Sequence, residues 1–150
     1  MNKKLSIIIP CYNEESTISQ IINKITEIVS FPYEIIVIDD CSTDKTRSIL
    51  ENDLNSKITK LILNPINSGK GYSLRQGIKE ASGEIILIQD ADLEYDPSDY
   101  KKLIDPINNG YADVVYGSRF TGADQKGVLY FWHMIGNKFL TILSNMFTNL

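Results

Sequence analysis

The sequence predicts an α/β protein: a Rossmann-like three-layer sandwich with a mainly parallel sheet covered by helices on both faces. Two observations carry that reading. Short apolar runs alternate with segments whose apolar residues recur at helical spacing. Each apolar run is also followed directly by a polar cluster.

The elements can be justified in order. Leu5 to Ile9 has the apolar character of a strand buried on both faces. Ile18, Ile21, Ile22, Ile25 and Val29 then repeat as the buried stripe of an amphipathic helix. Glu34 to Ile38 is a second strand run, rich in β-branched residues. Asp44 is placed to cap the helix that follows. Thr59 to Leu63 gives a third strand, and Lys70 to Ala81 reads as a helix stopped by Ser82-Gly83. Glu84 to Ile88 gives a fourth strand, ending on Gln89-Asp90. Pro97 suits the first position of a helix that runs to about Asn109, with Pro106 disturbing its end. Ala112 to Tyr116 gives a fifth strand. The connections should be right-handed crossovers.

Bulk properties set limits on function. A length of 150 residues suits one domain, and 43% hydrophobic with 23% charged residues supplies an ordinary globular core. The net charge of -4 leaves no basic footprint for nucleic acid. It also means that an anionic ligand would need a cation or a local basic group. Cys11 and Cys41 have no metal-ligand spacing and make no disulfide framework, which fits a reducing cytosol. The apolar run before Pro10 is too short for a signal peptide, and no run of about 18 apolar residues predicts a membrane span. The tail carries Ile135, Phe139, Ile142, Leu143, Met146, Phe147 and Leu150 at helical spacing. That stripe would pack on its own sheet or lie on a membrane surface. It runs to the last residue without a cap, so a C-terminally incomplete single domain is expected.

In parallel sheets, ligands bind outside the carboxyl ends of the strands. Five polar clusters fall there: Tyr12-Asn13-Glu14, Asp39-Asp40, Asn67-Ser68-Gly69-Lys70, Asp90-Ala91-Asp92 and Gly117-Ser118-Arg119. Asp90 and Asp92 would repel each other if left uncompensated. A hard divalent cation, Mg²⁺ or Mn²⁺, resolves that and can bridge to a diphosphate. Alone, the same tripeptide would better suit a solvated acidic turn; its place after an apolar strand among four other polar clusters reverses that. Asp39 and Asp40 are placed to accept hydrogen bonds from a base or a ribose, or to make a capping acidic turn. Gly69-Lys70-Gly71 lacks the full ATP-type phosphate-loop spacing. Its Lys70 is a candidate partner for phosphate or for a site carboxylate, against the alternative of a plain solvated lysine. Arg119 suits bidentate phosphate recognition or a structural ion pair. His133, the only histidine, sits in the aromatic segment Tyr130-Phe131-Trp132, where a half-buried structural role is expected.

Together these clusters resemble family-2 glycosyltransferases, in particular the dolichyl-phosphate mannose synthase-like, polyprenyl-phosphate branch. The carrying motifs are Ile9-Pro10-Cys11-Tyr12-Asn13-Glu14-Glu15, Val37-Ile38-Asp39-Asp40-Cys41-Ser42-Thr43-Asp44, Asn67-Ser68-Gly69-Lys70-Gly71, Asp90-Ala91-Asp92-Leu93-Glu94 and Gly117-Ser118-Arg119-Phe120. The resemblance implies a GT-A type fold. It implies a nucleoside pocket lined by Pro10, Tyr12, Glu14, Asp39 and Asp40. It places the donor diphosphate and Mg²⁺ or Mn²⁺ at Asp90, Ala91 and Asp92, with Glu94 as a further oxygen ligand where some relatives have Gln. Arg119 would contact the acceptor phosphate. Cys41 stands where relatives usually have Gly or Asn.

The implied reaction is inverting, metal-dependent sugar transfer from GDP-mannose or a UDP-sugar to a polyprenyl or dolichyl phosphate. Asp92 and Arg119 would be central to it. The expected location is cytoplasmic and peripheral, at the cytoplasmic membrane face. A transferase acting on a saccharide hydroxyl and an inactive nucleotide-binding module share the same donor half. A phosphoacceptor response regulator is disfavoured, because its acidic pair would follow the first strand, where this chain has Tyr12-Asn13-Glu14.

Overall fold

A computed structural model describes residues 3–117, and the sheet with its helices belongs to one compact unit ending at Val115. Arg119, Ser118, His133 and the apolar tail stripe lie outside the described residues.

Four strands form the sheet: β1 (Leu5–Cys11), β2 (Tyr33–Asp39), β3 (Lys60–Leu63) and β4 (Ile85–Ile88). All pairings are parallel, in the order β3-β2-β1-β4. β1 therefore hydrogen-bonds on both edges and is buried along its whole length. That is why its side chains lack the alternation of a one-sided strand.

The helices follow from apolar spacing. Helix α1 (Ile18–Ile28) buries Ile18, Ile21, Ile22 and Ile25 against the face carrying Ile7, Ile9, Ile35 and Val37. A short helix α2 (Thr46–Ser48) continues as a widened turn over Ile49–Asp53 and a tight turn over Asn55–Lys57. Leu50 and Leu54 of this stretch join the same core. Helix α3 (Lys70–Glu80) covers the other face, where Leu74 packs on the cluster of Ile8, Ile36 and Ile38. A Cβ added at Gly77 would come within 2.5 Å of Ile8 and 2.8 Å of Ile38, so only glycine lets α3 lie this close to the sheet. A tight turn at Pro97–Asp99, capped by Asp96 accepting from the Ser98 N–H, leads into α4 (Tyr100–Asn108). Pro106 is accommodated inside α4, two residues before its end, and the helix runs on through it.

The expected fifth strand does not form. Ala112–Tyr116 pairs with none of the four strands, and Val114 is exposed. β-Propensity acts through cross-strand partners, and this segment has none among the described residues. β4 also departs from the fully buried pattern: Ile85 and Leu87 are buried while Ile86 and Ile88 are exposed.

At the N-terminal ends of the strands, one carboxylate ties three segments together. Glu34 accepts from Lys4 Nζ at 2.8 Å, Ser6 Oγ at 2.5 Å and the Ser82 N–H at 2.7 Å. Burial opposes its ionisation, but the hydrogen bonds from Lys4, Ser6 and Ser82 outweigh that and lower its pKa from 4.5 to about 2. A depressed carboxyl stabilises the fold fully above its unfolded value, and that contribution disappears as pH falls through the folded value. Glu34→Gln should therefore cost about 2 kcal/mol at neutral pH. The gap between variant and parent should close as pH falls from 4.5 toward 2. Urea unfolding across that pH range measures both, and a gap that stays constant would show that this carboxylate is not the group responsible.

Candidate functional site

The sheet order locates the site. From β1 the chain winds outward through β2 to β3, then crosses to the opposite side of β1 to make β4. This reversal opens a crevice beyond the carboxyl ends of β1 and β4, the place where open α/β sheets bind ligands. A cavity of about 210 Å³ occupies it, lined by residues following β1, β2 and β4 and by the start of α3. Pro10, Tyr12, Glu14, Asp40, Lys70, Asp90, Ala91 and Asp92 all contribute to its wall, with Cys11 and Ser73. Among the described residues the cavity thus presents four carboxylates and one ammonium.

Two of the expected residues are elsewhere. Asp39 is wholly buried and does not line the cavity. Its Oδ2 accepts from Arg47 Nε at 3.0 Å and Nη2 at 2.7 Å, and from the Ser42 N–H at 3.3 Å. It thus anchors α2 under the site. Arg47 also donates to the Asn64 carbonyl, tying α2 to the end of β3. Glu94 lies outside the cavity wall, and its N–H donates to Asp92 Oδ1 at 3.1 Å, closing a turn.

Asp40 has two jobs. It lines the cavity, and it accepts from Asn64 Nδ2 at 2.7 Å, from the Ser68 N–H and from the Gly69 N–H at 2.6 Å. Burial pushes this carboxyl up, but the hydrogen bonds from Asn64, Ser68, Gly69 and Ser73 hold its pKa below the ordinary value. The carboxylate therefore fixes the 64–69 loop. Gly69, with φ of 85°, turns that loop into α3, so Lys70 begins the helix beside the cavity. Lys70 Nζ lies 2.5 Å from Asp90 Oδ1.

The loop after β1 is fixed in the same manner. Asn13, in the left-handed region at φ of 57°, accepts at Oδ1 from the Thr43 N–H at 2.8 Å. The Asn13 N–H donates to Ser42 Oγ, and that of Glu14 donates to Thr46 Oγ1. Cys41 also has positive φ, 64°, which explains why Gly or Asn suits this position better than other residues. Burial pushes the Cys11 thiol up, and the charges of Asp39, Glu14, Asp44 and Asp40 push it further, which favours the neutral thiol over the thiolate.

Sequence reasoning missed Gln89 and Tyr100. Gln89 is buried, and its Nε2 donates to the Asp90 carbonyl at 2.9 Å and the Tyr95 carbonyl at 3.2 Å. Tyr100 Oη donates to Gln89 Oε1 at 2.8 Å. This clasp spans the loop that carries Asp90 and Asp92. A polar residue closing an apolar strand was the available signal.

Among the described residues, no three His, Cys, Asp or Glu side chains converge as a closed metal cage. A Mg²⁺-type ion does not need one, since it takes one or two carboxylates and completes its shell with substrate phosphate and water. Asp90 and Asp92, on one cavity wall, fit that role.

The chain is similar to several known proteins. The family described as Glycosyl transferase family 2 matches residues 6–147. Dolichol-phosphate mannosyltransferase of Pyrococcus furiosus is 38% identical over 119 residues, covering 78% of this chain and 33% of that protein. Undecaprenyl-phosphate 4-deoxy-4-formamido-L-arabinose transferase of Yersinia pestis is 36% identical over 119 residues, covering 75% and 36%. The chain thus spans about a third of the length of these curated relatives. Among solved structures, S. aureus TarS 1-349 in complex with UDP-GlcNAc has a TM-score of 0.62 at 30% identity, covering 81% of this chain and 37% of that one. Mannosyltransferase PcManGT from Pyrobaculum calidifontis, in complex with GDP-Man and Mn²⁺, has a TM-score of 0.56 at 30% identity, covering 61% and 28%.

Two measurements check the supporting contacts. Arg47→Met leaves Asp39 as an unpaired buried charge and should cost about 3 kcal/mol of unfolding free energy. Adding Asp39→Asn should recover part of that loss, whereas simple additivity would show that the two residues are not coupled. Gln89→Leu frees the Asp90–Tyr95 loop and should weaken nucleotide-dependent Mn²⁺ binding by calorimetry. Unchanged binding would remove Gln89 from the positioning role.

Proposed function

The chain belongs to glycosyl transferase family 2 and has the GT-A fold, and from that premise we propose that it forms the donor half of an inverting, metal-dependent glycosyltransferase acting on a polyprenyl phosphate. The observation that carries the donor assignment is the cavity at the reversal point of the sheet, where Asp90, Asp92 and Lys70 meet Tyr12, Glu14 and Asp40. The two curated relatives are both named for transfer involving a polyprenyl phosphate, which supports the acceptor class. Two solved relatives hold GDP-Man and UDP-GlcNAc, so either nucleotide class is a fair donor to test.

Each residue's part follows from its position. Tyr12, 45% exposed beside Pro10, offers an aromatic face to a base. Asp40 holds the loop that brings Lys70 to the diphosphate region. Asp90 and Asp92 would hold Mg²⁺ or Mn²⁺, which when bound neutralises a diphosphate and makes it a better leaving group. Asp92 is kept in orientation by the Glu94 N–H, and Asp90 by the Gln89 clasp on its backbone. Arg119 is assigned to the acceptor phosphate from the family motif.

A phosphate acceptor is already anionic near neutral pH, so the attacking oxygen needs no strong general base. The protein's work is then positioning and charge stabilisation. Attack by that oxygen on the anomeric carbon, opposite the departing diphosphate, inverts the centre. The proposed setting is the cytoplasmic face of a membrane, where the acceptor lipid lies. No helix among the described residues is long and apolar enough to cross a membrane.

Calorimetry with GDP-mannose and UDP-sugars, with and without Mn²⁺, tests the donor assignment. Transfer to a short-chain polyprenyl phosphate tests the acceptor, and transfer to a saccharide hydroxyl instead would redirect it. Asp92→Asn should reduce Mn²⁺-dependent nucleotide-sugar binding at least tenfold, equal to about 1.4 kcal/mol, with an unchanged circular dichroism spectrum. Wild-type affinity in that variant would refute the metal assignment.

A further inference from the structure

Asp39 and Asp40, at the end of β2, and Asp90, after β4, lie at the same sheet edge, yet they are held in three different ways. Asp39 receives the two-pronged guanidinium of Arg47. Asp40 receives the backbone N–H groups of Ser68 and Gly69. Both carboxylates are buried. Asp90 is ion-paired with the ammonium of Lys70, a side chain that remains 58% exposed.

We propose that Lys70 is an internal stand-in for the divalent cation at Asp90, released when a diphosphate binds. The inference rests on the donor-site reading above and adds a coupling between its two ligands. An exposed lysine pair is weak, because the flexible stem loses entropy and solvent screens the charge. It is therefore exchangeable, where a bidentate arginine would not be. Among the described residues, Lys70 is also the only basic one lining the cavity, which it shares with four carboxylates. A diphosphate entering that cavity is the stronger partner for the ammonium. Moving Lys70 from Asp90 to phosphate exposes Asp90 Oδ1 at the moment when phosphate oxygens are present to complete a cation's shell. The α3 backbone need not move, because Gly69 and the Asp40 clasp fix where the stem begins.

By linkage, a nucleotide should raise cation affinity and the cation should raise nucleotide affinity by the same factor. Part of that coupling is direct contact between phosphate and metal. The remainder, on this proposal, is release of Lys70.

Mn²⁺ binding to the full 150-residue chain, followed by the electron paramagnetic resonance signal of free Mn²⁺, separates the two parts. Titrations would be run alone and with saturating UDP or GDP, on the parent and on Lys70→Met. Circular dichroism of the variant checks that it folds. The variant should bind Mn²⁺ alone about two- to fivefold more tightly, the range for removing an exposed pair. Its nucleotide-induced gain in Mn²⁺ affinity should shrink by a similar factor. Lys70→Arg should bind Mn²⁺ alone no more tightly than the parent. Equal tightening with and without nucleotide would mean that Lys70 acts only as a distant charge, and it overturns the exchange. So does an unchanged Mn²⁺ affinity. In both cases the donor-site reading survives if nucleotide still promotes Mn²⁺ binding. Failure of the parent to bind Mn²⁺ with either nucleotide overturns both readings.

Discussion

An all-parallel sheet imposes one constraint on everything else in this chain: after each strand the backbone must return to the same edge before it can pair again. Every loop that leaves a strand therefore emerges at the carboxyl edge, and every loop that enters one lies at the other. β1 sits at the centre of that arrangement, hydrogen-bonded to β2 on one side and β4 on the other. Because the winding reverses across β1, the loops after β1 and β4 diverge and leave a gap. Tyr12, Glu14, Asp90 and Asp92 face one cavity for that topological reason, although they lie far apart in the sequence.

The same constraint concentrates negative charge. Like charges on one edge would oppose folding unless each found a partner. The chain solves this locally and in several ways: guanidinium for Asp39, peptide N–H for Asp40, ammonium for Asp90, and a turn N–H for Asp92. The opposite edge does the mechanical work. There Glu34 holds Lys4, Ser6 and Ser82, joining the entries to β1, β2 and β4. A buried, fully partnered carboxylate at the closed end lets the open end keep more exposed and exchangeable contacts.

Much of this was legible in the sequence, and the exceptions have physical causes. The four strands and the helices α1, α3 and α4 follow from apolar period and from Gly and Pro punctuation, which are local signals. The fifth strand, Ala112–Tyr116, was misread because a short β-like run says nothing about whether a partner strand lies beside it. The cavity residues were legible as clusters at strand ends. Which member of a cluster faces the ligand was not. Asp39 and Asp40 are adjacent, so successive side chains on the extended backbone point to opposite faces, and only the packed structure shows that Asp39 turns toward Arg47 while Asp40 meets the cavity. Gln89 holds backbone carbonyls and Tyr100 holds the Gln89 side chain, tasks that the polar end of an apolar strand signals only faintly.

The division of labour within the reaction also follows from charge. A sugar hydroxyl must lose a proton as it attacks, whereas a phosphate oxygen arrives already charged. An acceptor of the second kind asks for orientation, and the larger electrostatic burden falls on the departing diphosphate. On the proposed reading, the described residues carry that burden: two aspartates suited to a cation, one lysine, and a loop held in place by a buried carboxylate. The cavity of about 210 Å³ is smaller than the roughly 300–1,000 Å³ usual for a small-molecule site, and the chain spans about a third of the length of its curated relatives. On the proposed reading, the described residues build the leaving-group end of the donor site. The leaving-group end is also where rigidity matters most, because misplacing the charges that stabilise a diphosphate weakens transfer to any acceptor.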